Sequence, residues 1–185
     1  MVASHSSLNA RERMLAAICR QPLDRVPTDI WATPEVWEKL EIRFGSRQQA
    51  VADLHIDRID SVNAAFQGPI DPAPPGESVD MWGIRTKPIA YEGGVYQEQS
   101  FNPLSRATTI DDLEAYRWPE ANWFDYSRMR SIAQEKRKTH VVQCGYMAPF
   151  FMHNKLRGLE ASLIDPLENP EFTHHLLHRL CYFLY

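Results

Sequence analysis

The stretch Arg25-Val26-Pro27-Thr28-Asp29-Ile30-Trp31-Ala32-Thr33-Pro34 constrains this chain most, because it reads as a short strand running straight into a helix start. Val26, Thr28 and Ile30 alternate with Pro27, Asp29 and Trp31. The β-branched series suits a strand, and Pro27 suits its first residue or an edge. Thr33 is placed to cap a helix with Pro34 at its first position, where a missing N–H costs nothing. Asp29 and Trp31 would then arrive at the carboxyl end of a strand, the rim where α/β proteins usually do their chemistry. Asp29 can equally cap a neighbouring helix.

Around this stretch the pattern alternates. Asn9 and Glu12 have capping-box spacing, and Met14, Leu15 and Ile18 give a helix ending near Gln21-Pro22. After Pro34, Val36, Trp37, Leu40 and Phe44 recur at helical spacing up to Gly45, and Ser46 with Gln49 opens another helix. Ile56 to Val62 reads as the next strand, with Asp57 early in it. Helix, strand, helix, strand is the grammar of a parallel sheet.

The grammar breaks at Gly68 to Ser78, where Pro69, Pro72, Pro74 and Pro75 oppose regular structure. Glu92-Gly93-Gly94 lies between Met81–Arg85 and Val95–Glu98 as a hairpin signal, so residues 68–105 read as an inserted loop and hairpin over one face. Thr109 caps a short helix through Tyr116, ended by Trp118-Pro119. A helix from about Asp125 to Lys138 follows, then a strand Val141–Tyr146, a helix Phe150–Ile164 with Leu156, Leu159 and Leu163 inward, and a last helix opening at Asn169-Pro170-Glu171. That last helix is apolar at Phe172, Leu176, Leu180 and Phe183.

The bulk properties narrow the classes. A composition 44% hydrophobic and 24% charged is that of a folded globular chain, and a net charge of −4 argues against a nucleic-acid partner. No apolar run approaches the roughly 20 residues that span a bilayer, and Met1–Ala10 lacks the pattern of a signal peptide, so a cytoplasmic protein without a membrane association is expected. Three cysteines, Cys19, Cys144 and Cys181, suit reduced and mostly packed thiols. Three parallel-type strands do not close a (β/α)8 barrel, which needs about 200 to 250 residues. The expectation is an α/β chain forming the amino-terminal half of an incomplete (β/α)8 TIM barrel, one domain over residues 1–185 with the hairpin inserted.

Arg11-Glu12-Arg13-Met14-Leu15-Ala16-Ala17, Pro22-Leu23-Asp24-Arg25-Val26-Pro27, Asp80-Met81-Trp82-Gly83, Gly93-Gly94-Val95-Tyr96, Trp118-Pro119 and Leu156-Arg157-Gly158 occur in that order. On these motifs the chain resembles the uroporphyrinogen decarboxylase superfamily along nearly its whole length. The resemblance implies a (β/α)8 barrel and one of two activities, porphyrinogen decarboxylation or methyl transfer to corrinoid or thiol acceptors.

A porphyrinogen carries several carboxylates, and the decarboxylases place paired arginines, in an Arg-Gln-Ala-Gly-Arg run, just after the first strand. Here Asp29 to Glu35 supplies two acids and no base. At roughly 1.5 to 3 kcal/mol per charged hydrogen bond, that exchange disfavours a polyacid by several kcal/mol. Arginines converging beside Asp57 from elsewhere would reinstate one. The family's pyrrole-binding aspartate matches Asp57, the candidate catalytic residue, although Asp57 can instead pair with Arg58 or a loop amide. The family's tyrosine falls at Asn154, beside His153. Candidate substrate-binding residues are therefore Asp29, Trp31, Trp82, Tyr146, His153 and Asn154.

In the methyltransferase branch a His-x-Cys pair and a later Cys hold zinc. No His-x-Cys occurs here, so no metal ligand or cofactor is assigned within this chain, and zinc with a corrinoid partner protein is expected only for a longer product. His174 and His178 share a helix face but lack the glutamate of a zincin, and suit a solvated or packed face. Cys144 suits packing better than a nucleophile paired with His153. Trp82 and Tyr96 can line a pocket or pack across strands. The leading expectation is a methyltransferase-type member acting on a small methylated molecule, catalytically incomplete as given. Porphyrinogen decarboxylation is the alternative, and a noncatalytic fragment or binding module, with a homodimer as its candidate assembly, is the third.

Overall fold

The computed structural model describes residues 7–145 and 148–184. Helix α1, Ala10–Ile18, begins with the full capping box: the Asn9 side chain accepts from Glu12 N at 2.9 Å, and Glu12 accepts from Asn9 N at 3.0 Å. Helix α2, Pro34–Phe44, has its proline in the first turn and closes on Gly45 in the left-handed region, but Thr33 makes no side-chain cap bond. Helix α3, Arg47–Asp53, is capped by Ser46 alone, because the Gln49 side chain turns forward to Asp53 at 2.7 Å.

Next come β1 (Ile59–Ser61), β2 (Ala65–Phe66), β3 (Ser78–Val79), β4 (Arg85–Tyr91), β5 (Gly94–Phe101) and α4 (Ile110–Ala115). A 3₁₀ turn at Ala121–Trp123 leads into β6 (Phe124–Asp125), followed by α5 (Met129–Lys136), β7 (Val141–Gln143), α6 (Pro149–Arg157), α7 (Leu159–Glu168) and α8 (Pro170–Leu184). The chain is mixed α/β, and its contacts divide it into two compact units: Met1–Ala64 with Tyr126–Gly145, and Ala65–Asp125 with Tyr146–Tyr185.

In the first unit β1 and β7 pair in parallel, Ile59 opposite Val141 and Ser61 opposite Gln143. The expected helix, strand, helix, strand order is not met over residues 9–62: α1, α2 and α3 precede β1 with no strand between them, and the parallel partner of β1 comes from residues 141–143. Residues 26–33 form no strand and join no ladder; Thr28 O instead accepts from Asp57 N at 2.8 Å and Arg58 N at 3.2 Å. The second strand starts at Ile59 rather than Ile56, since His55 (φ 52°) and Arg58 (φ 32°) take left-handed backbone that breaks an extended run. Trp37, Ala50, Ile56 and Val62 are the buried apolar residues of this unit.

The second unit holds the larger core: Trp82, Ile84, Leu104, Ala107, Leu113, Trp118, Met152, Leu156, Phe172, Leu176 and Leu180. The expected hairpin forms as β4 and β5 around Glu92-Gly93, extended by β3 at the end of the proline-rich stretch. Met81–Ile84 is a turn and not a strand, because Asp80 accepts from the amides of Trp82 and Ile84 at 2.9 and 3.0 Å. Thr109 and Asp112 form the second complete capping box. The helix expected from Asp125 starts only at Met129, because Phe124 and Asp125 pair with Phe66 and Ala65.

One helix expected over Phe150–Ile164 is two. Gly158, at φ 90° and ψ 152°, separates α6 from α7 in backbone that essentially only glycine adopts. The corner reverses the expectation for two leucines: Leu156 is buried, whereas Leu159 and Leu163 are exposed. Helix α8 follows its expected pattern, with Phe172, Leu176 and Leu180 buried and Phe183 packed against them.

Candidate functional site

Asp57 is 1% exposed, and its carboxylate is fully engaged. Arg13 Nη1 lies 2.5 Å from Oδ1, Arg25 reaches both oxygens at 3.0 and 2.7 Å, and Thr28 N donates to Oδ2 at 3.0 Å. Arg13 also grips Asp24 with two bonds, Nε to Oδ1 at 2.7 Å and Nη2 to Oδ2 at 2.8 Å. The Asp24 carboxyl is held well below the usual carboxylate range, first by Arg13 and further by the amides of Leu8 and Arg25. Arg58, the sequence-adjacent partner, instead lies 3.1 Å from Asp60. Arginines therefore do converge beside Asp57, but Arg13 and Arg25 face Asp24 and Asp57, and the four charges sum to zero. The geometry makes Asp57 a hub of structural ion pairs.

Position carries equal weight. Asp57 precedes Ile59, so the cluster sits at the amino ends of the parallel pair, where a cleft of about 1210 Å³ is lined by Asp24, Arg25, His55, Asp60 and His140 among others. At the carboxyl ends of β1 and β7, Gln143 Nε2 donates to Ser61 Oγ at 3.0 Å, Asn63 Oδ1 accepts from Gly145 N at 3.3 Å, Cys144 is exposed, and the Lys136 ammonium donates to Ser61 O at 3.0 Å. Ser61, Asn63 and Gln143 were not legible as site residues, since short polar side chains after a strand carry no motif. Arg13 and Arg25 were visible only as the charged members of two recurring motifs.

The remaining candidates are dispersed. Asp29 and Trp31 lie on the surface of the first unit; the Asp29 side chain accepts only a local bond, from Ile30 N, and Trp31 is 94% exposed. Trp82, His153 and Asn154 belong to the second unit, and Tyr146 lies outside the described residues. Trp82 is a core residue, set edge-on to Trp118 and Phe183 at 6.4 and 5.0 Å, while Tyr96 packs near Tyr91 on the hairpin. Asn154 accepts from the Ser162 hydroxyl and holds α6 to α7. His153 is wholly buried, and burial holds its pKa below the ordinary value.

The thiols of Cys19 and Cys144 are exposed, contrary to the expected packing, and Cys181 is half-buried. His174 and His178 stack at 6.3 Å while His175 meets Glu114 at 2.5 Å. Among the described residues no three His, Cys, Asp or Glu side chains converge as metal ligands. No helix among them is long and apolar enough to cross a membrane. Comparison with protein-family models, curated proteins and solved structures finds no match to this chain.

Proposed function

We propose that this chain supplies the amino-terminal part of a (β/α)8 barrel similar to the uroporphyrinogen decarboxylase superfamily, of its methyltransferase-type branch, and acts on a small methylated molecule. The observation that carries this reading is the division of charge along the parallel pair. The arginines are spent on Asp24 and Asp57 at the amino ends, and the carboxyl ends present Ser61, Asn63, Gln143 and Cys144. Such a rim offers hydrogen bonds to a neutral or weakly charged ligand, and its cation is the Lys136 ammonium on Ser61 O, a point charge in place of the paired guanidinium groups that suit a polyacid. A parallel pair of two strands with Val26, Trp31 and Ile42 at 76, 94 and 78% exposure is also what a barrel wall shows where neighbouring strands and helices are to be added.

Zinc and the corrinoid partner belong, on this reading, to the complete methyl-transfer assembly. One observation favours the alternative, porphyrinogen decarboxylation: the pair Arg13 and Arg25 beside Asp57. The two readings separate in one experiment on the complete gene product, offered uroporphyrinogen in one arm and a reduced corrinoid with methylated thiols and amines in the other. Methyl transfer, read as the spectral change of the corrinoid, is expected. Release of coproporphyrinogen overturns the proposal.

A further inference from the structure

His153 stands apart from the other titratable groups of the second unit. It is 0% exposed, and neither Nδ1 nor Nε2 has a hydrogen-bond partner. Its nearest anion is Asp165 on α7, with Nε2 to Oδ2 at 3.8 Å. That carboxylate is already held by Arg157 of α6, at 2.7 Å through Nε and 3.1 Å through Nη2. Arg157 also donates to the carbonyls of Leu104 and Ala107, both at 2.6 Å, tying the end of α6 to the loop after β5. From α8 the buried residues are Phe172, Thr173, Leu176 and Leu180, with Phe172 stacked under the Arg157 guanidinium at 4.8 Å. The charged groups acting on the ring are therefore Asp165 and Arg157, one of each sign.

We propose that His153 is an acid-sensitive latch on the α6–α7 corner, holding it shut as a neutral ring and releasing it when protonated. An imidazolium at this depth is shut off from solvent, and the carboxylate that faces it among the described residues, Asp165, is shared with a second cation. Asp165 can turn toward His153 only by giving up its paired bonds to Arg157. Arg157 then loses the partner that fixes its hold on Leu104 and Ala107, and the corner at Gly158 is freed.

The direction in pH follows from linkage. Burial, outweighing the pull of Asp165, lowers the folded pKa below the ordinary value of about 6.5. The opened corner therefore binds more protons than the closed one across that interval. Closure is fully present above about pH 6.5 and is lost as pH falls toward the folded value, by a factor of ten for each pH unit.

The test is amide hydrogen exchange on the full chain at pH 7.5 and 5.5, corrected for intrinsic rates. Protection of α6 and α7 is expected to fall, by up to about tenfold, while the β4–β5 hairpin holds, and His153→Phe, an aromatic of similar size without a titrating proton, is expected to abolish the fall. An equal fall in His153→Phe, or none in the wild type, overturns the latch. If the variant does not fold, the ring titration of wild-type His153 by NMR decides: an apparent pKa well below 6.5 supports the latch, and one at or above 6.5 overturns it.

Discussion

Arg13 Nη1 and Asp57 Oδ1 lie 2.5 Å apart across 44 residues of sequence, and both side chains are almost fully buried. Removing one partner of such a pair strands the other charge, so Asp57→Ala is expected to destabilise the first unit by about 3 to 5 kcal/mol. The double variant with Arg13→Met should lose less than the sum of the two single changes. Urea unfolding followed by fluorescence checks both. A loss below about 1 kcal/mol for Asp57→Ala would return Asp57 to the list of residues free for chemistry.

Acid should act on the same cluster through Asp24. Its folded pKa is depressed, so its contribution is fully present above the unfolded value of about 3.9 and is lost as pH falls through the folded value. Below pH 4 the wild type is expected to lose stability more steeply than Asp24→Asn, whose curve should be flatter. Parallel curves would show that Arg13 does not hold Asp24 in solution.

Two glycines with positive φ should differ in tolerance. Neither Gly45 nor Gly158 is tightly crowded: a Cβ at Gly45 meets nothing within 4 Å, and one at Gly158 meets Asn102 at 3.7 Å, so the difference is one of backbone alone. Gly45 has φ 86° and ψ −28°, while Gly158 has φ 90° and ψ 152°. Gly45→Ala is expected to cost about 1 kcal/mol, and Gly158→Ala up to about 3 kcal/mol. Thermal melts of the two variants provide the comparison.

Trp31, at 94% exposure, should be nearly silent in folding: Trp31→Ala is expected to change stability by less than about 0.5 kcal/mol. On the proposed function, the same variant weakens binding of the proposed methylated ligand at unchanged unfolding midpoint. A variant that unfolds early would show that Trp31 packs in solution.

Much of the helical frame could be read from residue order, because caps act locally: Asn9 with Glu12, Thr109 with Asp112, and Pro34 with Gly45 mark their ends within four residues or one helix. The strands were less legible. Ile56 to Val62 has strand composition, yet left-handed backbone at Arg58, beside an Asp57 bound to Arg13, Arg25 and Thr28, delays the strand. The corner at Gly158 was hidden because the apolar spacing of Leu156, Leu159 and Leu163 continues through it. Asp57 could be identified as a buried carboxylate in need of partners, but not which partners, since Arg13 comes from 44 residues away.

The nesting of the two units has a bearing on synthesis. Ile59 finds its neighbour only when Val141 has emerged, and all of Ala65–Asp125 lies between. A ribosome therefore delivers the hairpin and the short helix α4 before the first unit can complete its sheet, and β1 waits through that interval with bare edges. The nascent chain is most vulnerable to mispairing in that window, and slowing of translation ahead of Val141 would lengthen the exposure.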